Sequence, residues 1–117
     1  MKKIWTLFLL LLATHVSIWA QPGKKEYSIK NKKAIGVYEE ALTEYKILNY
    51  ITAEEKLKKA IEIESNFIEA YLVLAQVYED QRKYHDAIEP LEKAMGINPQ
   101  HFPFGWFILS EYYLLEG

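Results

Sequence analysis

The stretch Asn66–Pro99, NFIEAYLVLAQVYEDQRKYHDAIEPLEKAMGINP, decides how this chain folds. Tyr71, Leu74, Ala75 and Tyr78 fall three and four residues apart, and Tyr84, Ala87, Leu91 and Ala94 do the same after a short break. That spacing gathers apolar side chains on one face of an α-helix, whereas a strand would alternate them. Asn66 followed by Glu69 fits a helix start in which side chains satisfy free backbone N–H groups. Asn98-Pro99 closes the second helix, because the residue before a proline avoids the helical region. The stretch therefore reads as two helices and a tight turn.

The same pattern stands on both sides of it. Tyr50, Ala53, Leu57 and Ala60 precede Tyr84, Ala87, Leu91 and Ala94 by 34 residues each. Tyr38, Ala41, Leu42 and Tyr45 precede Tyr71, Leu74, Ala75 and Tyr78 by 33, and Trp106, Leu109, Ser110 and Tyr113 follow those four by 35. A period of 34 with large aromatics opening one helix and alanines closing the next resembles the tetratricopeptide repeat. The best copy carries it as Tyr71-x2-Leu74-Ala75-x2-Tyr78, then Tyr84-x2-Ala87, Leu91, Ala94 and Pro99. The resemblance implies an all-α, right-handed solenoid of antiparallel helix pairs. Repeat 1 would span 31–65, repeat 2 66–99, and the first helix of repeat 3 100–117. The first copy lacks one residue at its internal turn and has Ser65 in place of the closing proline.

Five helices are expected, near 31–47, 50–64, 67–81, 84–97 and 103–116. Two antiparallel helices approach closely only where the ridge is small, a role for Ala53, Ala60, Ala87 and Ala94. Tyr38, Tyr45, Tyr71, Tyr78 and Trp106 would fill the wider gaps. Pro103 suits a first helical turn, where its missing N–H is not needed. Gly36 and Pro90 break helix rules, the first by roughly 1 kcal/mol, and belong on an outer face.

Composition agrees with a small helical domain. Of the 117 residues 50% are hydrophobic and 26% charged, which argues against disorder. No cysteine is present, so disulfides, thiolate metal sites and a thiol nucleophile are excluded. Five glycines and four prolines leave little room for a turn-rich β sandwich.

Residues 1–20 read as a signal peptide. Lys2 and Lys3 are followed by an uncharged run from Ile4 to Ala20 that decays into Thr14, His15 and Ser17 before an alanine. A comfortable bilayer span needs about 20 apolar residues, so an uncleaved anchor is the alternative. Export places the protein in the periplasm or cell envelope. Cleavage removes Lys2 and Lys3 from 14 basic residues, leaving 12 against 16 acidic ones, a net charge of −4. Nucleic acid is then no partner. Residues 21–30 form a linker, and with Lys24, Lys25, Lys30, Lys32 and Lys33 the joint reads as a solvated run rather than a basic anchor.

No catalytic pattern emerges. His85 and His101 have no third imidazole or thiolate at ligand spacing, so no metal is expected. His85 and Asp86 are sequence neighbours, which do not face each other on a helix. Ser28, Ser65 and Ser110 stand in no nucleophile motif. The acids Glu39-Glu40, Glu54-Glu55 and Glu62-Glu64 suit solvated faces. Neither an enzyme nor a cofactor is implied.

In the resembled family, the first helix of each pair lines a concave surface that holds an extended peptide or a helix. On this sequence the lining is Glu39 and Thr43, then Glu69, Leu72, Gln76 and Glu79, then Phe107 and Glu111. The Lys and Asn that grip a C-terminal carboxylate in some members are missing from these places. An acidic groove with Leu72 and Phe107 would favour a basic or apolar segment of a protein or peptide. Alternatively, both are ordinary packing and the glutamates merely solubilise. The open C-terminal face offers a route to self-association. Leader, Lys-rich joint and repeats together resemble the N-terminal repeat module of Bacteroidota envelope proteins, which continue into a propeller and an OmpA-like domain. The function expected is an exported interaction adaptor. A spacer or assembly arm of a larger envelope protein is the competing reading.

Overall fold

A computed structural model of the chain describes residues 25–116; the expected signal peptide and the first part of the linker lie outside the described residues. Among the described residues five helices follow in order: α1 Lys32–Lys46, α2 Tyr50–Ile63, α3 Ile68–Asp80, α4 Tyr84–Ile97 and α5 Gly105–Glu116. Among the described residues there is no strand. Each helix packs on the next one in chain order, α1 on α2, α2 on α3, α3 on α4 and α4 on α5. Packing by sequence neighbours is what makes a solenoid.

Small residues set the distance between the helices. Ala34, Ala41, Ala53, Ala60, Ala70 and Ala87 are 0% exposed, so backbones meet there across methyl groups. Leu57, Leu91, Val77 and Phe67 are the largest side chains buried completely. Phe67 stands against Tyr38 with ring centroids 4.8 Å apart and ties the first pair to the second.

The two internal turns have the same construction. Leu48 (φ 61°) and Arg82 (φ 58°) adopt the left-handed conformation just past α1 and α3. Asn49 N–H then donates to the Glu44 carbonyl, and Lys83 N–H to the Tyr78 carbonyl, both at 2.9 Å. Such bonds satisfy carbonyls that the helix end leaves free. Leu48 and Arg82 are 34 residues apart although the tyrosines before them, Tyr45 and Tyr78, are 33 apart. The residue missing from the first copy is thus taken from the end of α1.

The starts of α1 and α3 are built differently. Asn31 caps α1, its Oδ1 accepting from Lys33 N–H and Ala34 N–H at 3.1 Å. The Asn66–Glu69 start does not form. Phe67 occupies the cap position of α3 without a side-chain bond, and the Glu69 carboxylate turns to Ser28 instead. Burial of the Phe67 ring fixes where the chain turns in, and a hydroxyl and an amide from another segment satisfy the acid. Asn98 ends α4 in extended backbone (φ −152°, ψ 100°), as its proline neighbour requires.

Three further expectations need correction. Pro90 is buried within α4, not on an outer face. The helix runs on past it because the carbonyl it leaves without a donor belongs to Asp86, an exposed residue that water reaches. Pro103 lies in the turn before α5, which begins at Gly105. Trp106 does not fill a gap between helices; it is 66% exposed, and Gly105, Leu109 and Tyr112 face inward. The register in the third copy is therefore 34, pairing Leu109 with Ala75 and Tyr112 with Tyr78. Gly105 causes the shift. A Cβ there would stand 2.7 Å from Met95 Sδ, so the bare glycine lets α5 roll toward α4. Gly36, by contrast, is on an open outer face as expected, with nothing within 4 Å of an added Cβ.

Candidate interaction groove

The first helices α1, α3 and α5 carry the residues expected to line a groove, and α3 supplies its centre. Glu69, Leu72, Gln76 and Glu79 follow at helical spacing and form one stripe. Along this stripe lie two different environments.

At the start of α3, the stripe is occupied by the chain itself. Glu69 accepts the Ser28 backbone N–H at 2.7 Å and the Ser28 hydroxyl at 2.5 Å. Tyr27 hydroxyl donates to Glu39 of α1 at 3.0 Å. The Tyr27 ring stands edge-on to Tyr38 at 5.5 Å and to Phe67 at 6.0 Å. Next to them Ile29 is buried. Tyr38 is pushed up to about 12, by burial first and then by Tyr27 and the Glu69 and Glu39 carboxylates. It stays a neutral phenol at any ordinary pH.

Further along, Leu72, Gln76 and Glu79 line an apolar cleft of about 260 Å³ between α3 and α5. Its other wall is Phe102, Ile108 and Tyr112. Tyr112 hydroxyl donates to Glu79 at 2.5 Å across the cleft. Burial, followed by that carboxylate, raises the Tyr112 pKa. Gln76 amide donates to Asp80 at 2.9 Å, and Asp80 also accepts from Tyr45 at 2.5 Å. A cleft with apolar walls and a few placed polar groups suits an inserted side chain better than reaction chemistry.

The remaining expected residues lie apart. Thr43 hydroxyl donates to the Glu39 carbonyl within α1. Phe107 is 73% exposed and Glu111 is exposed; neither lines the cleft. Tyr27, Ser28, Phe102, Ile108 and Tyr112 were missed by sequence reasoning. An aromatic and an isoleucine inside a lysine-rich run were the signal for the first pair, and the 34-residue register would have found Tyr112.

A larger cleft of about 630 Å³ opens on the second-helix side, with Lys58, Tyr71, Pro90 and Lys93 among its lining. Lys58 is held by Glu54 at 2.7 Å, which also accepts from Tyr78 at 2.8 Å. His85 pairs with Glu116 rather than Asp86. Among the described residues no group of three His, Cys, Asp or Glu side chains converges to hold a metal ion. No helix among them is long and apolar enough to cross a membrane.

Residues 68–101 match the tetratricopeptide repeat model. The fold is a tetratricopeptide-type solenoid. Among solved structures the chain is similar to the crystal structure of MamA protein, with 26% identity and a TM-score of 0.67 over 72% of this chain. The chain spans 45% of the length of that protein. No curated protein matches it in sequence. Tetratricopeptide arrays are in general protein-binding scaffolds, and the matched repeat is the one whose first helix carries the Glu69–Glu79 stripe.

Proposed function

We propose that this chain is a non-catalytic, exported interaction module of the bacterial envelope that holds a peptide or helix of another protein along its first-helix side. One observation carries the reading: α3 and α5 leave an apolar cleft of about 260 Å³ beside an acidic stripe, on helices whose fold is of the tetratricopeptide type. Leu72 and Ile108 supply apolar contact, Gln76 and Glu79 supply polar edges, and a basic or apolar segment fits that combination. The export component rests on Lys2, Lys3 and the uncharged run to Ala20. Whether the leader is cut at Gln21 or kept as an anchor is read by N-terminal sequencing of the exported protein.

A photo-crosslinking residue at Gln76, compared with one at the exposed Glu62 of α2, tests the groove. Capture of one partner at 76 and not at 62 supports the proposal. Equal capture at both positions refutes groove binding.

The second reading is a spacer or assembly arm of a larger envelope protein, of the Bacteroidota arrangement with propeller and OmpA-like domains. It is favoured by the exposed Trp106, Phe107 and Leu114 on α5, large apolar side chains of the kind a further helix or a second copy covers. Sedimentation of the protein at rising concentration reads the second-copy version. Association that Trp106→Ser and Leu114→Ser abolish would support it, and a monomer at all concentrations would refute it.

A further inference from the structure

The segment Tyr27–Ile29 is seated as a ligand would be. Its Ser28 presents a backbone N–H and a hydroxyl to one carboxylate, Glu69, at 2.7 and 2.5 Å. The Tyr27 ring stands edge-on to the packed pair Tyr38 and Phe67, and its hydroxyl reaches Glu39. Ile29 supplies an aliphatic anchor, 8% exposed. Lys25 and Lys30 with Glu26 leave residues 25–31 a net charge of +1, opposite in sign to the Glu39 and Glu69 carboxylates they meet. Residues 25–31 are irregular backbone before α1, without the intrahelical bonds that hold the solenoid.

We propose that this segment is an intramolecular occupant of the groove, displaced by a partner segment of the same chemistry. The partner is an extended peptide with an aromatic, a hydroxyl residue and an aliphatic in succession, flanked by lysine or arginine. A proline is forbidden at the hydroxyl position, since its N–H donates to Glu69. The inference rests on the interaction reading above and names what that groove takes.

Two features make the segment displaceable. Its hydrogen bonds to Glu39 and Glu69 are exposed to solvent, and such bonds are individually weak. Its only buried residue is Ile29, whereas the rest of the core lies in or between the helices. A partner competes against a tethered segment, which acts at an effective concentration of order millimolar. It therefore gains by running on along the stripe to the cleft at Leu72 and Gln76. A groove closed about nine-tenths of the time binds its partner roughly tenfold more weakly than an open one.

The test uses the full chain and a labelled synthetic peptide of residues 25–31, followed by fluorescence anisotropy. Tyr27→Ala, Ser28→Ala and Ile29→Ser together should release the segment, and the peptide should then bind about tenfold or more tightly than to the unchanged protein. Adding Glu69→Gln should remove that gain. In the unchanged protein, hydrogen exchange of the Ser28 amide should be at least about a hundredfold faster than that of Val77 in α3, because local opening precedes unfolding. Equal peptide affinity for released and unchanged protein overturns the proposal, as does Ser28 exchange at the rate of Val77. The exchange arm decides the matter even where the triple variant fails to fold. Partner capture at Gln76 with no change on release would leave the interaction function standing and sink this inference alone.

Discussion

Phe67→Ala is the sharpest test of how the two helix pairs are joined. The ring is 0% exposed and stands 4.8 Å from Tyr38 and 6.0 Å from Tyr27. In the same buried core Ala34, Ala53 and Ala70 are already the smallest side chains with a Cβ. They cannot extend into the space that the ring would leave, so the cavity should persist. Removal of a buried phenylalanine costs about 3–5 kcal/mol, and persistence of the cavity puts this site in the upper half of that range. A domain of this size has a total of roughly 5–15 kcal/mol, so the change should consume a large part of it. At about 4–8 °C per kcal/mol, the melting temperature should fall by roughly 15 °C or more. Urea unfolding followed by circular dichroism measures the loss, with Phe67→Leu as a control that keeps most of the volume and should lose less than half as much. A loss below about 1 kcal/mol for Phe67→Ala would show that the pairs are held elsewhere, and the account of the aromatic junction would be wrong.

Gly36→Ala should stabilise α1 by up to about 1 kcal/mol, since an added methyl meets nothing, while Gly105→Ala should yield less because Met95 must first move. Thermal melts of the two variants decide this, and equal gains would contradict the tight α4–α5 approach. Arg82→Gly should raise stability by roughly 1 kcal/mol by relieving a left-handed backbone at the end of α3, checked by the urea midpoint. Alkali gives a fourth check. Tyr38 and Tyr45 lie near 12 against an ordinary 10.0, and Tyr112 is raised as well, in each case chiefly through burial. A phenol whose pKa is higher in the folded state adds stability that is complete below pH 10 and is lost as pH climbs through the folded value. Unfolding midpoints should hold to about pH 10 and fall between about 10 and 12, and Tyr112→Phe should lessen that slope; an unchanged slope would contradict it.

Period and small-residue placement were enough to settle the helices. Tyr71, Leu74, Ala75 and Tyr78 could only share a face if the chain was helical, and a unit recurring after 34 residues could bury that face only by stacking. These are properties of neighbours in sequence, so they are legible without a structure. What followed from contact between distant segments was not. The register of α5 depends on Gly105 meeting Met95, a contact that a count of aromatic spacings does not contain, and it moves the inward position from Trp106 to Leu109 and Tyr112. Glu69 reads locally as a capping residue, yet its carboxylate goes to Ser28, 41 residues earlier, because Phe67 has already fixed the start of α3. The groove residues named from the repeat lie on α1, α3 and α5, where Glu39 and Glu69 are spoken for by Tyr27 and Ser28, and Glu79 by Tyr112. Sequence periodicity determines which face of a helix is apolar; only the packed chain determines which polar group reaches it first.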